Sequence, residues 1–343
     1  MTERLLEVRD LRVRFVTEDG VVHAVDHVSF DLVPGEVLAI VGESGSGKTV
    51  TAQTLMGLTR SPNAKIEGSV SYRGRELVTA SEEELQDIRG EEIAMIFQDP
   101  MTSLNPVYRV GRQIAEAMKA HRDVSNQEAH DRAIELLAAV GIPDARRRVD
   151  NFPHEYSGGM RQRAMIAMAL SLGPKVLIAD EPSTALDVTI QAQILRLLEQ
   201  LNRGRDLAVI LITHDLGVVA EIADRVLVMY GGRIVESGTL DQIFYDPQHP
   251  YTWGLLGSLA RPDRPAARRL SQIGGQPPSL LAPPQGCHFR PRCPHAFDRC
   301  TEVPALEVRP GANHADRCWL SPEQKKNLRI VETGDIGLEA PAA

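Results

Sequence analysis

Eight residues, Gly42-Glu43-Ser44-Gly45-Ser46-Gly47-Lys48-Thr49, stand directly behind the apolar run Val37-Leu38-Ala39-Ile40-Val41, and they restrict the fold more than any other stretch of the chain. The pattern predicts a buried strand, then a glycine-rich loop, then a helix. Without side chains at Gly42, Gly45 and Gly47 the backbone can wrap around phosphate groups, turning its N–H groups and a helix N-terminus toward their charge. Glu43, Ser44 and Ser46 complete the loop. Lys48 is then expected to reach the β- and γ-phosphates and Thr49 to hold Mg²⁺, so the chain is expected to bind a nucleoside triphosphate.

At 343 residues there is room for one nucleotide-binding core and an appendage. A formal net charge of −8 argues against a nucleic-acid partner. The N-terminus carries no apolar signal segment, and no run approaches the roughly 18 apolar residues of a membrane span, so a cytosolic chain is expected. All four cysteines follow residue 286, which in a cytosolic chain points to a metal or cluster site rather than a disulfide framework.

Residues 5–33 alternate apolar and polar positions around a turn at Asp19-Gly20, which is antiparallel β patterning. Continuous apolar runs recur at 37–41, 93–97, 176–179, 208–212 and 226–229 and read as strands buried on both faces of a helix-covered parallel sheet. Between about 105 and 160 helical periodicity takes over, which predicts a helical subdomain inserted into the α/β core. Residues 261–291 hold too many prolines for regular structure and read as a linker to a small cysteine-bearing module. The tail from 331 carries no pattern and is expected to be disordered.

Two carboxylates, Asp180 and Glu181, close the strand-like run Val176–Ala179, where a parallel sheet puts its ligands. Asp180 suits a Mg²⁺ shell, and Glu181 suits the polarisation of an attacking water. Ser157-Gly158-Gly159 caps a helix expected over Met160–Ser171 and forms another anion-binding terminus.

Set between the phosphate loop and Asp180-Glu181, Ser157-Gly158-Gly159 resembles the signature motif of ATP-binding cassette (ABC) ATPases. Gln98 matches that family's Q-loop, Ser183–Asp187 its D-loop, and His214 its switch histidine. The resemblance covers about residues 4–257 and implies the P-loop ABC-type nucleotide-binding fold: a mixed sheet core, an antiparallel β subdomain and an inserted helical subdomain. It further implies that Gln98 senses Mg²⁺ or water, that His214 contacts the γ-phosphate, and that cassettes pair head to tail across two ATP molecules. Tyr156 and Met160 stand where the family has Leu and Gln. Phe15 takes the position of the adenine-stacking aromatic, although a core strand residue is the other reading.

Residues 97–106 and 246–252, with the cysteine segment from Gly286, are similar to the dipeptide/oligopeptide importer branch. That resemblance implies an ATP-hydrolysing importer subunit on the cytoplasmic face of the plasma membrane. Its expected partners are a second ATPase subunit, with a heterodimer favoured, two permeases and an extracytoplasmic substrate-binding protein. Peptides are the expected cargo, with nickel or oligosaccharides as alternatives and a soluble non-transport ABC ATPase behind them. Cys287, Cys293, Cys300 and Cys318 have no paired Cys-x₂-Cys knuckles, which favours a 4Fe–4S cluster in an extension spanning 258–330 over zinc, for which His288, His295 or His314 could replace a cysteine, and over unligated thiols.

Overall fold

The computed structural model describes residues 4–99, 103–182, 187–258, 273–309 and 313–333, and the chain divides into two compact units. In chain order the strands are β1 (Leu6–Thr17), β2 (Gly20–Leu32), β3 (Val37–Val41), β4 (Ala64–Tyr72), β5 (Arg75–Glu76) and β6 (Ile93–Ile96). They continue with β7 (Val176–Asp180), β8 (Ala208–Thr213), β9 (Arg225–Tyr230), β10 (Arg233–Thr239), β11 (Glu307–Val308) and β12 (Ala315–Asp316).

The first unit joins Val33–Val37 to Thr79–Ile212. Its strands β6, β7 and β8 pair in parallel, with Met95 beside Ile178 and Ile178 beside Ile210. All of their residues are buried, which is why the sequence reads there as unbroken apolar runs. Helices cover Val110–Lys119, Asn126–Ala139, Ala145–Arg148, Gly158–Ala169 and Val188–Arg205. The second of these starts on a reciprocal cap, Ser125 Oγ accepting from the Glu128 N–H at 3.2 Å and Glu128 accepting from the Ser125 N–H at 2.9 Å. Gly111 lets the first helix lie against Val149, whose Cγ2 would stand 2.2 Å from an added Cβ.

The second unit takes Arg4–Leu32, Leu38–Val78 and the chain from Thr213 onward. One sheet, in the order β2-β1-β4-β5, is antiparallel throughout, and β1 and β2 are joined by the two-residue turn Glu18-Asp19. In the other, β3 pairs in parallel with β9, and β9, β10, β12 and β11 follow antiparallel to one another. The sheet is therefore mixed within this unit.

Its core brings Val41, Val226, Val228 and Tyr230 together with Val219, Ile243, Tyr251 and Phe289. Phe289 belongs to the C-terminal extension, and so does β12, which lies along β10 with Ala315 opposite Ser237. The sequence predicts a small cysteine-bearing module behind a proline-rich linker; in the structure the extension continues a sheet of this unit and adds Phe289 to its core. A segment too rich in proline to build its own interior gains burial by adding to one already formed. The fully buried Glu236 secures the join, accepting from the N–H groups of Gln248 (2.6 Å) and His249 (2.9 Å) and pairing with His314 Nε2 (2.8 Å). The helix Pro322–Thr333 carries regular structure past residue 331, and residues 334–343, expected to be disordered, lie outside the described residues.

His249 is 1% exposed, and its Nδ1 accepts from the Tyr251 N–H at 3.1 Å. Burial, aided by the Lys325 charge, pushes its pKa down to about 3 from an ordinary 6.5. The unfolded chain binds this proton more readily than the folded one, so His249 adds stability above pH 6.5 that is lost as pH falls from there toward 3. Acidification from pH 7 to 5 should cost about 2 kcal/mol through this residue. His249→Asn, which retains a capping oxygen, should flatten the pH dependence in urea unfolding. The slope should not vanish, because burial also lowers the pKa of His288.

Candidate functional site

The phosphate loop leaves β3 at Gly42, whose φ is +154°, and enters the helix Lys48–Leu55 through Gly47, whose φ is +97°. A Cβ at Gly42 would stand 2.1 Å from the Met229 carbonyl oxygen, and one at Gly47 would stand 2.3 Å from that of Ala24. Gly45 also has a positive φ, but nothing lies within 4 Å of its missing Cβ. Two of the glycines are thus needed for close backbone approach, the third for its conformation alone. Lys48 is buried, and its ammonium donates to the carbonyls of Gly42 (2.7 Å) and Glu43 (2.9 Å), with Ser46 Oγ at 3.4 Å. Thr49 follows on the first turn, half-buried. A loop curled by left-handed glycines, opening a helix and closed by a lysine held on main-chain oxygens, fits a nucleotide's phosphates.

Phe15 lies in the same unit, half-buried on β1 opposite Val22 and Ala64. His214 is exposed immediately after β8, just before the helix Leu216–Ile222 that Asp215 caps by accepting from the Gly217 N–H at 2.8 Å.

In the first unit Asp180 is 2% exposed at the end of β7. Glu181 follows in a left-handed conformation, φ +46°, fixed by its N–H donating to the Ile212 carbonyl at 2.8 Å. That conformation costs a non-glycine residue energy and turns its side chain out of the strand. Gln98 Nε2 donates to Glu181 Oε2 at 3.2 Å, so two residues singled out independently in the sequence meet. Ser157 caps the helix Gly158–Ala169 by accepting from the Met160 N–H at 3.3 Å, and this helix starts two residues earlier than predicted. Gly159 permits contact with Ile190, whose Cγ2 would be 2.7 Å from a Cβ. Tyr156 is buried, its hydroxyl donating to the Arg148 carbonyl at 2.8 Å, and burial pushes its phenol up to about 12. Residues 183–186 of the predicted D-loop lie outside the described residues, whereas Asp187 caps the next helix through the Ile190 N–H at 3.0 Å.

Cys287, Cys293, Cys300 and Cys318 border one small pocket of the second unit and are free thiols. The expected 4Fe–4S cluster, and the metal-binding role with it, must nevertheless be corrected. Among the described residues no group of three or more His, Cys, Asp or Glu comes together that could hold a metal ion. The same finding overturns the zinc alternative.

Two contributors to the phosphate loop escaped sequence reasoning. The Glu43 N–H donates to the Tyr251 hydroxyl at 2.8 Å, and the Glu43 carboxylate takes two bonds from the Arg292 guanidinium, at 2.6 and 3.1 Å. Both partners lie more than 200 residues further along the chain, where no spacing rule reaches.

Strand, glycine loop and helix in this geometry define a P-loop nucleotide-binding protein. The ABC transporter family model matches residues 25–184, and that of the oligopeptide/dipeptide transporter C-terminal region matches 235–300. The chain is 56% identical to the oligopeptide transport ATP-binding protein OppD of Salmonella typhimurium, over 89% of this chain and 90% of that one. It is 51% identical to the dipeptide transport ATP-binding protein DppD of Bacillus subtilis, over 97% and 99%. A solved dimeric ATP-binding cassette, in a post-hydrolysis state bound to ADP and Pi, superposes with a TM-score of 0.62 at 26% identity, covering 68% of this chain and 98% of that one. The chain belongs to the ABC transporter ATP-binding proteins of the oligopeptide/dipeptide family.

The glycine contacts rank two substitutions. Gly42→Ala forces a clash with a main-chain oxygen and should weaken binding of a fluorescent ATP analogue by more than about tenfold, about 1.4 kcal/mol. Gly45→Ala meets no neighbour and should have the smaller effect, so equal losses would show that packing at Gly42 is not limiting.

Proposed function

We propose that this chain is the ATP-hydrolysing subunit of a peptide importer, powering uptake of oligopeptides or dipeptides through separate permease subunits. The observation that carries the reading is the near full-length likeness to transport ATP-binding proteins of that class, including the C-terminal region at 235–300. In this reading it sits on the cytoplasmic face of the plasma membrane, paired with a second and different ATPase subunit. An extracytoplasmic binding protein delivers the cargo. The cassette spans 4–257, with its helical subdomain at about 105–160, and the extension runs over 258–330.

ATP supplies a phosphoanhydride bond and Mg²⁺ the charge that offsets its phosphates. Gly42–Thr49 would hold the phosphates through backbone N–H groups, and Lys48 would exchange the Gly42 and Glu43 carbonyls for phosphate oxygens. That exchange is favourable because an ammonium gains more from a charged oxygen than from a neutral one. Thr49, Gln98 and Asp180 would hold Mg²⁺, and Phe15 would stack on adenine. Glu181 would polarise the attacking water; the hydrogen bond from Gln98 supports this by orienting its carboxylate. His214 would contact the γ-phosphate, and Ser157, Gly158 and Gly159 would close on the partner subunit's nucleotide.

Uptake of a labelled dipeptide by cells lacking the chain tests the reading, since wild type should restore it and Glu181→Gln should not. In the purified transporter Glu181→Gln should bind ATP normally and turn over at least about 100-fold more slowly. Hydrolysis within about twofold of wild type would remove Glu181 from the role. Lys48→Ala should lose nucleotide affinity instead. Gln98→Ala should reduce transport more than ATP binding, and equal small losses would mark its contact with Glu181 as structural only.

A further inference from the structure

The phosphate loop carries a carboxylate at its second position, Glu43, in a place whose remaining chemistry is arranged for anions. Left alone, that charge would repel the phosphates. It is not left alone. Arg292 of the C-terminal extension meets it with a two-pronged ion pair, Nη1 to Oε2 at 2.6 Å and Nη2 to Oε1 at 3.1 Å.

The arginine is held as firmly as its partner. Its side chain is 4% exposed, its Nε donates to the Gly274 carbonyl at 2.8 Å, and Nη2 donates also to the Ile273 carbonyl at 3.1 Å. Nη1 stands 3.4 Å from the Tyr230 hydroxyl, and Tyr230 directly follows Met229, the residue whose carbonyl abuts Gly42. The pairing with Glu43 is the first cause raising the pKa of Arg292, so its charge is constant at any working pH. A fork matching both carboxylate oxygens also fixes their plane, which a lysine would not do.

We propose that Arg292 is a positioning residue of the ATP site, supplied by the C-terminal extension, which neutralises and orients Glu43 so that the phosphate loop accepts a polyanion. The extension thereby takes part in nucleotide binding. This rests on the reading of Gly42–Thr49 as the phosphate site, which Lys48→Ala checks separately. If Lys48→Ala binds ATP as wild type does, that reading fails whatever Arg292 does.

The test is equilibrium binding of a fluorescent ATP analogue to the full chain, with the KM for ATP and kcat measured in the assembled transporter. Arg292→Gln should weaken binding about tenfold and raise KM while leaving kcat within about twofold, because neutralisation acts on binding rather than on chemistry. Combined with Glu43→Gln, the same change should cost less than about twofold relative to Glu43→Gln alone, since no charge is left to neutralise. Arg292→Lys keeps the charge but not the fork and should lose no more than about threefold, and it carries the test if Arg292→Gln does not fold. A tenfold loss that persists in the Glu43→Gln background would assign Arg292 to packing around residues 273–274 and overturn the proposal. So would unchanged affinity in Arg292→Gln, or a loss in Arg292→Lys as large as in Arg292→Gln.

Discussion

The structure turns on a backbone packed where no side chain fits. The carbonyl oxygens of Met229 and Ala24 come so near Gly42 and Gly47 that a single methyl group at either would collide with main chain. The ends of the phosphate loop are therefore set by strands β9 and β2, and the loop's curvature follows from where those strands lie. Lys48 then draws the loop closed on its own carbonyls. The binding surface is shaped by packing within the chain itself, and a loop so constrained lowers the ordering cost of binding.

Much of this was readable because a few elements carry unambiguous patterns. Strands β3, β6, β7 and β8 are buried along their whole length, so they appear as apolar runs, and the glycine loop betrays itself by composition. Strand β10 was harder, since it contains Glu236, a charge that sequence reasoning sends to the surface. The fold buries it completely because main-chain N–H groups 12 and 13 residues later satisfy its oxygens. The Ser157 cap was recognised, but the helix begins at Gly158, and Gly159 serves close contact with Ile190 within the helix rather than a turn.

Spacing misled at the cysteines, where four thiols in one short segment read as a ligand set. Their spacing in sequence does not fix their placement in space, and among the described residues no group of three or more ligand-type side chains comes together that could hold a metal ion. The contacts of Tyr251 and Arg292 with Glu43 were invisible for a different reason. An ion pair between residues 249 positions apart has no local signature and follows only from the way β10, the helix Pro250–Gly257 and the extension are laid onto one sheet.

The second unit is assembled from both ends of the polypeptide, with the phosphate loop near the beginning and its supports at Met229, Tyr251 and Arg292. A ribosome releases chain from the N-terminus, so β3 emerges long before β9 and the later residues that pack on Ala39 and Val41. During that interval these two residues lack that cover, and any product terminated before Phe289 lacks part of the unit's core. The phosphate loop is thus synthesised well before the residues that support it, which makes translation through Arg292 a precondition for a properly supported loop.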